Sequence, residues 1–189
     1  TIASLGASPH FLPGVMTGSI SASAEEKVQV YKGAAVLSPN GANGFRGIDS
    51  NIKGDLSQDP NIQATYPTIR FSTYMPSLAG TTGSYIYAVN IEVFPILMNA
   101  FHLKLVQGSL PRLGTNQIAL HKSLMGARGF HVGDVIDPAQ DPHEYLPTKL
   151  QIVGVLDGPT QFSLASLDYV SQVSAFRGYV RSVLAVSRS

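Results

Sequence analysis

No cysteine occurs in the 189 residues, which excludes disulfides and Cys-based metal sites. The compartment stays open, because cytosolic and periplasmic chains alike can lack cysteine. Charge is scarce as well. Only 13% of residues are charged against 44% hydrophobic, a balance more typical of extracytoplasmic surfaces rich in Ser, Thr, Asn and Gln. The 13 Lys and Arg are scattered without a basic stripe and the net charge is +1, which leaves no electrostatic case for nucleic acid. A long hydrophobic run is missing too. The most apolar window, residues 85–101, is interrupted by Asn90, Glu92, Pro95 and Asn99 and cannot be a comfortable bilayer span. The chain opens at Thr1 without an initiator Met or a signal-type apolar run, so it reads as a processed or excised piece. There is no internal repeat and no long linker, and the length suffices for a substantial core in one domain or two small lobes.

What is present centres on residues 108–156, which read as strand, short helix, Gly-punctuated turn, strand, loop and strand. Gln117-Ile-Ala-Leu is a short apolar run, and Leu120, Leu124 and Met125 give helical spacing over residues 120–128. Gly129 can take positive φ and close that helix, while Arg128 suits the negative end of its dipole. Phe130, Val132, Val135 and Ile136 are expected to pack around a tight turn at Gly133-Asp134. Leu150, Ile152, Val153, Val155 and Leu156 make a nearly continuous apolar strand in which Gly154 signals a bulge or a close backbone contact. The stretch holds no candidate nucleophile, metal box or phosphate cradle, and it reads as a mechanical and binding module.

In chain order, residues 1–14 read as a loose lead-in, and residues 15–20 as a possible strand. Alternation predicts a strand over residues 27–32, with residues 34–37 extending it or starting the next. A turn-rich loop follows at residues 38–47, then a helix over residues 48–56, capped by Asp49 or Ser50 and stopped by Asp59-Pro60. Residues 62–74 turn extended, with Tyr66, Ile69, Phe71 and Thr73 available for sheet packing, and residues 76–83 read as a loop. Tyr85, Tyr87, Val89 and Ile91 alternate as a second strand. Residues 94–101 predict a short helix with Pro95 in its first turn. Leu164, Leu167, Val170 and Val173 suggest one amphipathic helix over residues 163–176, and residues 181–188 a last strand with Val183, Ala185 and Ser187 alternating.

Several constellations invite sharper functions. Asp137, Asp141, His143 and Glu144 could supply metal ligands, but two prolines and the missing turn glycine spoil an EF-hand, and a solvated polar loop is the better reading. Ser50 and Lys53 match S-x-x-K without the partner motifs that its chemistry requires. Gly41, Gly44 and Gly47 precede a helix but lack a phosphate-loop form. His10, His102, His121, His131 and His143 have no paired acid or second ligand at fixed spacing, which favours surface or packing roles. Tyr85, Tyr87, Phe94, Met98 and Phe101 form the densest aromatic region. Core packing accounts for most of it, and exposure of Phe94, Met98 and Phe101 would mark a contact patch. No catalytic, cofactor or metal residue is assigned.

The order of elements resembles the extracytoplasmic core domain of FtsX-like, MacB-type ABC transporter permeases. There an EG-x-x-P turn, a strand and helix, an h-G-x-x-h-G-D-x-I turn and an h-x-h-V-G-V strand succeed one another. This chain has Gln107-Gly108-Ser-Leu-Pro111, Gln117-Ile-Ala-Leu-His-Lys-Ser-Leu, Gly129-Phe-His-Val-Gly133-Asp134-Val-Ile136 and Leu150-Gln-Ile-Val-Gly154-Val155. The match is clearest over residues 85–157 and extends over residues 28–187; no single piece is specific, and their order and spacing carry it.

The resemblance implies an α+β, two-lobed domain. A porter-like lobe containing a βαβ unit would comprise residues 1–92 and 158–189, with a small β-rich lobe, residues 93–157, inserted in it. It implies a non-catalytic periplasmic or extracellular part of an inner-membrane protein. Membrane helices would couple it to a separate cytoplasmic ABC ATPase subunit or domain. A homo- or heterodimeric transporter would result, with a periplasmic adaptor or envelope protein as a further partner and no nucleic acid. About 20 apolar residues are then expected on either side of the chain. Family members export macrolides, peptides or lipids, move lipoproteins, or regulate cell-wall hydrolases, and nothing in these residues chooses among them. The competing class is a free-standing extracytoplasmic binding domain, and an enzyme is third.

Overall fold

A computed structural model describes residues 2–4, 21–23, 26–31, 34–39, 56, 58–179 and 181–188. By internal contact the chain forms two units, Thr1–Thr68 with Val180–Ser189, and Ile69–Tyr179. These units and the expected lobes are drawn on different seams.

In the first unit, β1 (Ile2–Ser4) pairs antiparallel with β2 (Ser21–Ser23), so the lead-in read from sequence contains a paired strand. β3 (Glu26–Tyr31) pairs antiparallel with β4 (Ala34–Pro39), which pairs antiparallel with β12 (Arg181–Ser187). Ala34 to Leu37 are all fully buried, and every residue from Ser182 to Val186 is buried, so the alternation expected at residues 183–187 is absent. The predicted strand at residues 15–20, the Gly41, Gly44 and Gly47 loop, Ser50 and Lys53, and His10 lie outside the described residues. Of the helix predicted at residues 48–56, only Leu56 is described, and it is helical and buried. The chain then turns at Asp59, whose carboxylate accepts from the Asn61 N–H at 2.8 Å.

β5 (Ile62–Ser77) runs on into the second unit, where the strand order is β5, β6 (Gly80–Val89), β11 (Ser163–Ser166), β8 (Gln117–His121), β10 (Leu150–Asp157) and β7 (Lys104–Gly108). β9 (Val135–Ile136) adds to β10. The sheet is mixed, since β6–β11 and β8–β10 are parallel and the other pairs antiparallel. Three short helices, α1 (Phe94–Ala100), α2 (Lys122–Arg128) and α3 (Leu167–Gln172), complete an α+β unit.

Four expectations are corrected here. The loop predicted at residues 76–83 is the end of a long hairpin: Ser77 pairs with Gly80, whose φ of 121° closes a two-residue turn. β6 shows no exposed alternate face from residue 86 onward. Ile86 and Ala88 join the main core while Tyr87 stacks on Phe162 at 4.3 Å, so successive residues enter two apolar layers. The helix predicted over residues 163–176 is strand first. All four residues of β11 are buried between β6 and β8, and helix is confined to residues 167–172. Finally, β8 continues through His121, so α2 begins at Lys122 rather than Leu120.

Pro95 stands in the first turn of α1, where its missing N–H costs nothing. Phe94 and Phe101 are 2% exposed and Met98 is half-buried, so core packing accounts for most of the aromatic region, while Tyr85 is 39% exposed. No helix among the described residues is long and apolar enough to cross a membrane.

Candidate functional site

The motif positions interlock on β10 through backbone. Gly108, at φ 73°, lies so close to β10 that a Cβ there would sit 2.0 Å from the Val153 carbonyl oxygen. A Cβ on Gly154 would sit 2.1 Å from the Ser109 carbonyl oxygen. Both contacts forbid a side chain, which explains glycine in the Gln107-Gly108 turn and in the Val153-Gly154 strand. The Ser109 N–H donates to the Val153 carbonyl at 2.9 Å. From the other direction the Gly133 N–H donates to the Ile152 carbonyl and the Ile152 N–H to the Asp134 carbonyl, both at 2.8 Å. Gly133 (φ 101°) makes the turn that permits this pair. The register of β10 on β8 shifts between Ile152 and Gly154, the bulge expected from the glycine.

Around this frame, β7 is an edge strand in which every residue is exposed. Its pairing with β10 skips Val106, since Gln107 lies opposite Val155 and Leu105 opposite Leu156. Val106 is therefore bulged and 53% exposed. Between β7 and α2 runs an open groove of about 390 Å³, floored by Met125, Phe130 and Val155. Val106 and Gln107 form one wall, and Lys122, Gly126, Gly129 and His131 the other. Gly129 ends α2 in the left-handed conformation (φ 66°), as predicted, and neither it nor Gly126 has an atom within 4 Å of where a Cβ would stand. Val135, expected to pack near this turn, is instead 51% exposed.

The polar loop of residues 137–147 is not simply solvated. Arg128 reaches it from the end of α2, donating to Glu144 Oε2 at 2.6 Å and to Asp141 Oδ2 at 3.2 Å. The side chains of Arg128 and Glu144 are 6% and 0% exposed. Glu144 Oε1 also accepts from the Thr73 hydroxyl at 2.8 Å and from the backbone N–H groups of Tyr145 and Leu146. The guanidinium lies between Tyr74 and Phe130, 3.8 and 4.4 Å from their ring centres. Asp137 holds its own turn by accepting from the Ala139 N–H, and Asp141 accepts from the His143 N–H. The three carboxylates weighed as metal ligands thus have structural tasks, and no metal-holding cluster occurs among the described residues.

His121 is buried and caps α2. Its Nε2 is 3.0 Å from the Gly158 carbonyl, which can only accept, so Nε2 carries the proton and Nδ1 accepts from the Ser123 N–H and hydroxyl. A carbonyl rather than a carboxylate on Nε2, and a serine held by both its N–H and O–H, make this a cap and not a nucleophile–base pair. His131 and His143 are exposed, and His102 turns the chain after α1 at φ 53°.

The sequence reading gave neither the Arg128 knot nor the groove. Gly126 within α2 and Gly129 at its end, three residues apart, were the available sign of a bare wall.

No family model matches the sequence, and no curated protein matches it. Among solved structures, the chain is similar to the periplasmic region of MacB from Actinobacillus actinomycetemcomitans, at 14% identity and a TM-score of 0.47, covering 82% of this chain and 73% of that one. It is also similar to the extracellular domain of the ABC-type transporter YknZ from Gram-positive bacteria, at 10% identity and a TM-score of 0.46, covering 75% and 74%.

Proposed function

We propose that this chain is the extracytoplasmic domain of an FtsX-like, MacB-type ABC transporter permease. On this reading it is non-catalytic and is carried by an inner-membrane protein. ATP hydrolysis in a separate cytoplasmic subunit or domain moves it against the same domain of a dimer partner, and so drives export or action on an envelope protein. The observation that supports this is the interlock on β10. Three of the four motifs quoted from the sequence meet at Gly108, Gly133 and Gly154, and the fourth pairs with β10 as β8; a side chain is sterically forbidden at Gly108 and Gly154, and Gly133 meets a positive φ. Chance matches to common Gly-Asp and Val-Gly-Val strings carry no such mutual requirement.

The full reading frame and its membrane partners test the proposal. A permease requires about 20 apolar residues on both sides of this domain. It also requires co-purification of an ABC ATPase with the full-length protein from detergent-solubilised membranes. A parent polypeptide that is water-soluble from end to end would overturn the reading and leave a free-standing binding domain in its place.

A further inference from the structure

Residues 137–149 leave the sheet at β9 and return to it at β10, and the two ends lie side by side because Ile136 pairs with Leu150. Such a closed loop can swing outward without parting a strand pair. Among the described residues its backbone hydrogen bonds stay inside it, from the Gln140 N–H to the Asp137 carbonyl and from the Glu144 N–H to the Asp141 carbonyl. Side chains alone hold it to the rest of the fold. Its polar ties run to two places, Arg128 at the end of α2 and the β5–β6 hairpin, where Thr73 meets Glu144 and the Thr81 hydroxyl meets that of Tyr145 at 2.9 Å. The ring of Tyr74 meets those of His143 and Tyr145 edge to face, and Leu146, 3% exposed, enters the main core. Pro138, Pro142 and Pro147 fix φ along the loop and stiffen it as one body. Taking Arg128 and Glu144 out of water carries a desolvation cost that apolar residues of the same volume would not, so the pair serves to fix one seat for the loop more than to add stability.

We propose that residues 137–149 are a strap latched by Arg128, which lets go as a unit and bares Leu146 and the rim of the main core while the sheet stays folded. The second unit then has two shapes, and the open one presents an apolar surface that the closed one hides.

Glu-C endoproteinase reads the open state directly, since it takes the Glu144 carboxylate into its own pocket and that carboxylate is 0% exposed when latched. The 189-residue chain is digested over a urea series below the unfolding transition, and the cut between Glu144 and Tyr145 is followed by mass spectrometry. The expected rate depends on urea much less steeply than global unfolding does, the mark of a sub-global opening. Arg128→Met raises the rate without urea roughly tenfold or more, because the buried carboxylate loses its counter-charge, and keeps the shallow slope. Circular dichroism establishes the fold of the variant. Should it misfold, Thr73→Val gives the second reading: a side chain of the same shape stays in place, Glu144 loses one donor, and cutting accelerates severalfold. A cut that follows the steep urea dependence of unfolding overturns the proposal, as does a rate that neither substitution changes.

Discussion

Replacing Arg128 with alanine removes one half of a buried ion pair and leaves the other half in place. Glu144 would remain at 0% side-chain exposure, with the Thr73 hydroxyl and two backbone N–H groups as its donors and no counter-charge at 2.6 Å. Orphaning a buried charge in this way costs about 3–5 kcal/mol, several times the worth of a surface pair. Loss of the guanidinium between Tyr74 and Phe130 adds about 1 kcal/mol. For a chain of this size each kcal/mol moves the thermal midpoint by roughly 2–4 °C, so the transition of the second unit falls on the order of 10 °C. Urea unfolding should show the same loss in midpoint with an unchanged slope. Salt should not mask it, because screening acts weakly on a pair withdrawn from water. Glu144→Gln is milder, at roughly 1–3 kcal/mol, since the amide oxygen still serves the backbone donors and Arg128 keeps Asp141. The double variant Arg128→Met with Glu144→Gln recovers part of the alanine loss, because no charge is orphaned. An Arg128→Ala chain within about 1 kcal/mol of the parent, the value of an exposed pair, would refute this account.

Two glycines of similar φ should respond differently to alanine. Gly129→Ala, in open space, costs about 1 kcal/mol in urea unfolding, whereas Gly108→Ala drives a methyl into the Val153 carbonyl and costs several times more; equal losses would contradict the interlock. Ser163→Ala deprives the buried His121 N–H of its 3.0 Å acceptor and should cost about 1–3 kcal/mol by the same measurement. Burial raises the phenol pKa of both Tyr169 and Tyr179 above the ordinary value of 10.0. Their contribution is therefore complete below pH 10 and is lost as the pH rises through the folded-state values, which a pH series of thermal melts will show as a decline on the alkaline side. Leu78→Ser, at a fully exposed hairpin turn, should leave stability within about 0.5 kcal/mol.

The parts of the fold that were legible are those where one residue type answers one steric demand. Gly129 and Gly133 announce positive φ, Gly154 announces the bulge and close approach on β10, and Pro95 announces the start of α1. Patterns that depend on a face being wet were misread where both faces are dry. β11 has no polar face to betray its period of two, so Leu164, Leu167 and Val170 imitate a helix at steps of three. Pro76, Gly80 and Gly83 look like a loop, yet cross-strand pairing extends through Ser77 and Gly80. The Arg128 knot was out of reach for a different reason. Its partners lie 13, 16 and 55 residues away, and no local periodicity encodes a contact between a helix end, a loop and a hairpin.

The frame and the wall of the groove are made of different materials, and this bears on how its variants are to be read. Backbone hydrogen bonds from Ser109, Gly133 and Ile152 and the two forbidden Cβ positions hold the frame. The wall consists of side chains that the frame does not use: Val106 is bulged and unpaired, Lys122 is 66% exposed, and Gly126 faces open space. Substitutions on the wall should therefore leave the melting midpoint in place, and substitutions at Gly108 or Gly154 should lower it. A wall variant that lost stability would show that β7 and α2 are coupled more tightly than this separation allows. Hydrogen exchange at the β10 amides would locate the coupling, because the Ile152 N–H is sealed by Asp134 and opens only when the Gly133 turn comes away.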